Sequence, residues 1–294
     1  MATLKDVELK IAAVKKTRQI TKAMNMVAAS RLRGAQTSME AFRPYAAKFA
    51  EVLGSVASKS GEEANPLLTP KDEVKNVHVV ICTSDRGLCG GFNANLIEAA
   101  EDFMNARVEQ GQAASFTCFG KKGREWARSL DLNIIEDHEG VVGATFGFNV
   151  ASTAGKKLVD GYLDGTYDEV HLVYSEFGGM AKQVPTLKQI LPIPPIESAE
   201  ADEDAPYMAE HICEPSPDEL LAEMLPRNVF IQIFSGLLET STSEHAARML
   251  AMDNATGACN DMIEQLTLAY NKARQASITA ELMDIVGGAE ALKG

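Results

Sequence analysis

The sequence predicts an α/β protein in which an α/β domain is inserted between N- and C-terminal helices that form a long antiparallel coiled coil. Helix-favouring sequence fills both ends of the chain, apolar residues recur there at coiled-coil spacing, and short apolar strands alternate with helices between them. The predicted segments are 1–59 for the N-terminal helix, 60–76 for a linker, 77–195 for the α/β domain, 196–216 for an acidic loop and 217–294 for the C-terminal helix.

The N-terminal helix is predicted from its length and its spacing. Between Thr3 and Ser58 the one proline is Pro44, and an uninterrupted helix there would be on the order of 80 Å long. Helices of compact domains typically run about 8–20 residues, so this one needs a partner helix. The 3-4-3 spacing of a coiled-coil seam is followed by Leu4, Val7, Ile11 and Val14. After a shift of register we expect the seam to resume at Ile20, Met24 and Val27.

The middle segment alternates between two patterns. Apolar strands are predicted at "VHVVICT", "SFTCFG", "LNIIE" and "EVHLVYSEF", with helical sequence such as "NANLIEAAEDFMNARVEQG" between them, and a last strand at "KQVPTLKQILPI". This alternation predicts a mostly parallel sheet with helices on its faces. The stretch "PPIESAEADEDAP" then leaves the domain as an acidic loop.

The C-terminal helix is predicted from Pro217 to about Val286. Seam spacing recurs in it at Ile263, Leu266, Tyr270 and Ala273. Because the inserted domain returns the chain to roughly where it left, the two long helices must run antiparallel. Each then supplies the seam that the other lacks.

Composition excludes several function classes. The net charge of −13 argues against non-specific nucleic-acid binding, and no uncharged apolar run reaches the roughly 18 residues of a membrane span. We therefore expect membrane association only through partners. The five cysteines include no CxxC pair, so neither a disulfide framework nor a zinc site is expected. The histidines show no HExxH spacing and no G-x-S-x-G elbow occurs, so we predict no catalytic and no metal site.

The stretch "DRGLCGGFN" lies between a strand and a helix, where dinucleotide-binding loops occur. The dinucleotide fingerprint needs G-x-G-x-x-G, but Gly87, Gly90 and Gly91 give G-x-x-G-G. The nearest match to a phosphate loop, "VASTAGKK", has Val150 in place of the first glycine and Lys157 in place of the magnesium-binding Ser or Thr. We therefore predict no bound cofactor, and interpret the three glycines as a tight turn packed against a partner.

Four blocks of sequence carry a family resemblance. In "KARQASITAELMDIVGGAEAL" the matching positions are Ile278, Thr279, Glu281, Asp284, Gly288, Ala289 and Ala291. The other blocks are "KIAAVKKTRQITKAMNMVAASRLR", "TSDRGLCGGFN", and "SEHAARMLAMDNAT" with "LTLAYNKARQ". Together they resemble the gamma subunit of F-type ATP synthases, over nearly the whole chain and in the family's order.

The resemblance implies a Rossmann-like α/β domain without nucleotide, and the function of a rotor. As it implies, the chain is the central shaft of a proton-translocating ATP synthase, transmits rotation of the c ring to the alternating alpha/beta catalytic sites, and binds the epsilon subunit. The resemblance also implies that it is not catalytic alone and that it lies peripherally on the cytoplasmic face of a bacterial inner membrane.

The candidate site residues fall into three groups. Contacts to the sleeve of alpha and beta subunits are implied by the resemblance for Met24, Arg274, Gln275, Thr279, Glu281 and Asp284, with Met24 near an acidic loop of a beta subunit. Met24 would equally suit the core of the coiled coil. The seam group is Ile11, Val14, Ile263, Leu266 and Tyr270. The packing turn is Gly87, Gly90 and Gly91.

Two other functions compete with the rotor. One is a coiled-coil protein of chromosome-maintenance type whose basic arm binds DNA, but such proteins need ATPase motifs that this sequence lacks. The other is a nucleotide-dependent enzyme, against which the broken glycine spacing argues. Co-purification with alpha and beta subunits discriminates all three.

Overall fold

The computed structural model describes residues 4–57, 65–71, 73–194 and 216–291. Its helices and strands, in chain order, are α1 (Leu4–Ala57), β1 (Asn76–Cys82), α2 (Phe92–Glu109), β2 (Ala113–Phe119), α3 (Lys121–Ser129), β3 (Asn133–His138), α4 (Phe148–Leu163), β4 (Glu169–Gly179), β5 (Lys182–Leu191) and α5 (Pro217–Ala291). Residues 196–215 of the predicted acidic loop, and residues 60–64 and 72 of the predicted linker, lie outside the described residues.

The chain divides into two compact units. The helical unit consists of residues 1–27 and 249–294, and the sheet unit consists of residues 28–248. Helices α1 and α5 both contribute to each unit, because the divisions at 27/28 and 248/249 fall inside them. The prediction of two long terminal helices around an α/β domain is confirmed.

The sheet has the strand order β3-β2-β1-β4-β5. Strands β1 to β4 pair in parallel, and β5 adds an antiparallel edge next to β4. β1 lies in the centre and is buried from its second residue to its last. A central parallel strand is covered by helices on both faces, which is why "VHVVIC" is almost continuously apolar rather than alternating.

Each face of the sheet has its own core. Val79 and Ile81 of β1 lie in a cluster with Leu96 and Ala100 of α2. Their neighbours in sequence, Val80 and Cys82, belong to the other cluster, with apolar residues of α4 and α5, because successive strand side chains point to opposite faces. The sheet-facing residues of α5 in that second cluster are Leu221, Leu225, Val229, Ile233 and Leu237.

His78 is a core residue rather than a ligand. Its Nδ1 is 2.8 Å from the hydroxyl of Ser115 and its Nε2 is 2.9 Å from the hydroxyl of Thr117, and all three side chains are buried. Burial lowers the pKa of His78 to about 3, because the charged ring would lose its hydration. The imidazole is therefore neutral in the folded protein at neutral pH.

We predict that the free energy of unfolding falls as the pH drops from about 6.5 to 4. The unfolded chain protonates His78 near pH 6.5, whereas the folded chain keeps it neutral down to about pH 3. Acid therefore favours the unfolded state, by about 3 kcal/mol over this range. Urea unfolding can be followed by the fluorescence of Trp126, the single tryptophan, which packs edge-on against Phe116 at 5.5 Å.

His78→Gln is the control for this titration. Glutamine keeps a donor and an acceptor for Ser115 and Thr117 but does not titrate. The dependence of stability on pH should be shallower in the variant than in the parent. Equal slopes in the two proteins would contradict the assignment to His78.

Candidate partner-binding surfaces

In the helical unit, α1 and α5 are joined side by side. Three hydrogen bonds connect them, from Arg18 Nη1 to Asn260 Oδ1 (3.1 Å), between the hydroxyls of Thr21 and Thr256 (2.8 Å), and from Asn25 Nδ2 to the carbonyl oxygen of Met249 (2.9 Å). Residue numbers rise along α1 as they fall along α5. The two helices are therefore antiparallel, as the sequence predicts.

The seam differs from the prediction in its second half. Ile11 and Val14 are half-buried on α1, as are Ile263, Leu266 and Tyr270 on α5. The predicted register shift is wrong, because Ile20 and Val27 are exposed. The 3-4 spacing instead continues in register through Arg18, Thr21 and Asn25. These polar residues can occupy seam positions because each hydrogen bonds to α5.

The predicted sleeve-contact residues lie at two places in this unit. Met24 is half-buried beside the seam on α1. Five others are exposed along the last third of α5: Arg274, Gln275, Thr279, Glu281 and Asp284. The hydroxyl of Thr279 donates to the carbonyl oxygen of Gln275, and Glu281 accepts from Ser277. That these residues contact another subunit stays a prediction.

The end of α5 exposes apolar side chains. All residues from Glu281 to Ala291 are exposed. The large apolar side chains exposed toward this end are Leu268, Ile278, Leu282, Met283, Ile285 and Val286, with Ile285 70% exposed. Contiguous exposed apolar surface is typical of a site that another protein covers. The periodicity of the sequence does not reveal this, since the same residues would suit a buried seam.

In the sheet unit, the glycine turn follows β1. Gly90 has φ of 62°, a conformation that glycine adopts without strain, but Leu88 has φ of 66° as well. Leu88 is also 63% exposed. A Cβ on Gly87 would meet no atom within 4 Å, so neither crowding nor a positive φ requires glycine there. The turn thus presents a strained apolar side chain to its surroundings.

Side chains of residues before the turn accept hydrogen bonds from backbone amides at the start of α3. The hydroxyl of Thr83 accepts a hydrogen bond from the Gly123 amide (2.8 Å). The carboxylate of Asp85 accepts from the amides of Lys121 and Gly140, each at 3.0 Å. Amides at a helix start can bind phosphate when they are free. Here they are hydrogen bonded within the chain, next to a negative charge.

Arg248 of α5 hydrogen bonds to the backbone of the same turn. Its Nη2 donates to the carbonyl oxygens of Arg86 (3.3 Å) and Gly87 (3.2 Å), and its Nη1 pairs with the buried Glu244. The sequence places Arg248 in a family block but gives no sign of this contact. The partners are more than 160 residues apart in the chain.

Two buried cysteines of the sheet unit, Cys89 and Cys118, are not activated. Burial is the main cause that raises the pKa of Cys89, and it raises the pKa of Cys118 to about 12, so both are thiols at neutral pH. Among the described residues there is no cluster of three or more potential metal ligands. None of the described helices is long and apolar enough to span a membrane.

The fold and these surfaces define a coiled-coil subunit of a larger assembly. A family model described as ATP synthase matches residues 3–292. The chain is 68% identical to the ATP synthase gamma chain of Desulfosudis oleivorans, over 100% of both chains, and 61% identical to that of Desulforapulum autotrophicum, over 99% of this chain and 100% of the other. This chain therefore belongs to the ATP synthase gamma chains.

Solved structures share the fold. A chain of the Euglena gracilis mitochondrial ATP synthase, in a structure of its OSCP, F1 and c-ring, matches with a TM-score of 0.66 at 17% identity, over 98% of this chain and 94% of that one. A chain of the Tetrahymena thermophila mitochondrial ATP synthase, in a structure of its central stalk and c-ring, matches with a TM-score of 0.57 at 24% identity. The match covers 80% of this chain and 99% of that one.

We predict that Leu88→Asn leaves the isolated chain at least as stable but weakens its retention in the assembled enzyme. Asparagine tolerates a positive φ better than leucine, so strain of roughly 1 kcal/mol is relieved. The apolar contact with a partner is lost at the same time. Urea unfolding measures the first effect, and the gamma content of purified complex measures the second.

Leu163→Asn is the matched control, because Leu163 is also about half exposed but ends the regular helix α4. The stability of the isolated Leu163→Asn chain should fall slightly, since asparagine is a poorer helix former than leucine. If Leu88→Asn is retained in the complex like the parent, the turn is not packed against a partner.

Proposed function

We propose that this chain is the non-catalytic central rotor of the proton-translocating ATP synthase. It transmits rotation of the c ring to the alternating catalytic sites of the alpha and beta subunits, and so governs ATP synthesis and proton flow. Its membership of the gamma chains over the full length carries this proposal. The coiled-coil pairing of α1 with α5 supports it, because torque along a shaft needs helices that are bonded to each other.

The proposed partners are the alpha and beta subunits, the epsilon subunit and the c ring. Gamma relatives of known structure come from complexes described as central stalk with c-ring and as OSCP, F1 and c-ring. The exposed apolar end of α5 supports a sleeve of alpha and beta subunits, because such a sleeve would remove Leu282, Met283 and Ile285 from water.

The mechanism rests on unequal contacts. A rotor that touched three beta subunits in the same way could shift none of their conformational equilibria, because only a difference in binding free energy moves an equilibrium. At matching levels of the helical unit the surface is uneven, because α1 exposes Lys10 and Lys15 while α5 exposes Met262 and Leu268. Each beta subunit therefore meets a different surface at each angle.

We also propose that the chain binds no nucleotide and is held at the membrane by the c ring, on the cytoplasmic face of a bacterial inner membrane. The Asp85 carboxylate beside the turn after β1 supports the first statement, since a negative charge there disfavours a phosphate. The gamma chains of Desulfosudis oleivorans and Desulforapulum autotrophicum reported above support the second.

Met24→Lys tests the rotor assignment. The resemblance places Met24 near an acidic loop of a beta subunit, so a lysine would form a charge-assisted contact worth about 1–3 kcal/mol at one angular position. We expect normal assembly but weaker coupling of ATP hydrolysis to proton pumping. Subunit content, ATP hydrolysis and proton pumping of the reconstituted complex are the measurements.

Two further variants separate the effect of the charge at position 24 from the effect of a changed side-chain shape and from damage to the seam. Met24→Leu keeps the apolar volume and should behave like the parent. Leu266→Lys places a charge in the half-buried seam and should mainly reduce assembly. If Met24→Lys assembles, hydrolyses and pumps like the parent, Met24 does not lie at the working surface of the rotor.

For the absence of a nucleotide site, we predict that the melting temperature of the isolated chain does not change with added ATP or NAD. A ligand that binds only the folded state at about 100 times its Kd would add roughly 2.7 kcal/mol of stability. A dose-dependent rise in melting temperature would contradict the proposal. The isolated beta subunit, treated in the same way with ATP, is the positive control.

A further inference from the structure

Strand β4 extends beyond its neighbour. It pairs with β1 from Glu169 to Val173, and β1 ends at Cys82, whereas β4 continues to Gly179. Its other edge is paired with β5 along almost its whole length. From Tyr174 onward, one edge of β4 therefore has no neighbouring strand in the part of the chain that the structure describes. Backbone groups on such an edge need other partners, because an unpaired buried amide or carbonyl is costly.

Side chains of α5 supply those partners. The hydroxyl of Thr240 accepts a hydrogen bond from the Ser175 amide (3.2 Å), and the carboxylate of Glu239 accepts from the Phe177 amide (2.9 Å). The hydroxyl of Ser243 donates to the carbonyl oxygen of Ser175 (3.3 Å). Three side chains of one helix thus replace the missing strand. We call Glu239, Thr240 and Ser243 the edge lock.

The edge lock lies in a polar run that is buried on all sides of the helix. All residues from Glu239 to His245 are less than 9% exposed. The run also bonds to parts of the sheet unit other than β4. Arg43 of α1 donates to Glu239 through two nitrogens, at 2.8 and 3.1 Å, and the Gly143 amide donates to the hydroxyl of Ser241 at 3.3 Å. Directional bonds therefore hold this part of α5 from several directions.

Directional bonds add a constraint to that of the apolar core. Apolar contacts have no preferred direction, so they resist rotation of a helix only through close packing and through the cost of exposing buried surface. A hydrogen bond to a backbone group weakens steeply when its angle changes. N-terminal to the edge lock, α5 faces the sheet with apolar residues such as Val229, Ile233 and Leu237. The edge lock therefore adds hydrogen bonds that fix the rotation of α5 against the open edge of β4.

We propose that Glu239, Thr240 and Ser243 are positioning residues through which torque passes between the sheet and α5. This inference rests on the proposed rotor function. If the c ring turns the sheet unit, the torque must enter α5, which continues as one helix to Ala291. Without the edge lock, α5 would turn further about its own axis under the same torque, and less of that torque would reach its far end. Coupling would then fall while assembly and hydrolysis persisted.

The chain offers a matched pair of variants to test this. Thr240 and Thr242 are both fully buried on the same helix. The hydroxyl of Thr240 bonds to β4, whereas that of Thr242 donates to the carbonyl oxygen of Leu238 in its own helix (2.8 Å). Thr240→Val and Thr242→Val make the same chemical change. Only the first removes a bond between α5 and the sheet.

The experiment uses complex reconstituted with the other subunits. Hydrogen exchange at the Ser175 amide reports the bond, and protons pumped per ATP hydrolysed report the transmission of torque. In Thr240→Val we expect exchange at Ser175 to rise about fivefold, as the loss of one hydrogen bond implies, and the pumping ratio to fall below that of the parent. Thr242→Val should match the parent in both measurements.

The outcomes separate this inference from the rotor assignment. If Thr240→Val exchanges faster at Ser175 but pumps with the ratio of the parent and of Thr242→Val, the edge lock carries no torque and the inference is overturned. If Thr240→Val fails to assemble, Ser243→Ala decides by the pumping ratio, because it deletes the hydroxyl that bonds to the carbonyl oxygen of Ser175. If parent chain never assembles with alpha and beta subunits, it is the proposed function that fails.

Discussion

The structure depends on which hydrogen-bond partners serve the polar groups that lie beyond the end of β1. This strand stops at Cys82, and the amide of Thr83 still donates to the carbonyl oxygen of Phe119 at the end of β2. The side chains of Thr83 and Asp85 bond to amides at the start of α3. The same early ending leaves the edge of β4 open, and α5 covers it with Glu239, Thr240 and Ser243. The early end of this one strand thus determines where α5 packs against the sheet.

This arrangement explains how a nucleotide-binding type of fold serves a mechanical function. In a doubly wound sheet, ligands bind beyond the carboxyl ends of the strands, where the strand order reverses. Here the reversal lies between β1 and β4, and the polar run of α5 lies beside it. The position that other such proteins give to a ligand is given to the chain's own helix. Arg248 adds a further bond from α5 to the turn after β1.

The two units rely on different kinds of contact. The sheet unit has two apolar cores and a buried polar run, so many of its apolar and polar side chains find their contacts within the chain. In the helical unit, most of the seam residues are only half-buried, and the end of α5 is exposed. Two helices alone cannot cover each other, because each presents most of its surface outward. The gamma chain is therefore completed by the subunits around it.

The sequence by itself determined the fold class, the family and the lack of a glycine fingerprint, because each depends on local periodicity or on short motifs. It placed Ile11, Val14 and Leu266 at seam spacing, but wrongly moved the seam to Ile20 and Val27, since a search for apolar residues cannot recognise Thr21 as a seam residue. Only the tertiary structure decided that Thr21 meets Thr256 and that Thr240 meets Ser175, partners that lie 235 and 65 residues apart. A hydrogen bond depends on distance and angle in space, and neither is encoded in neighbouring residues.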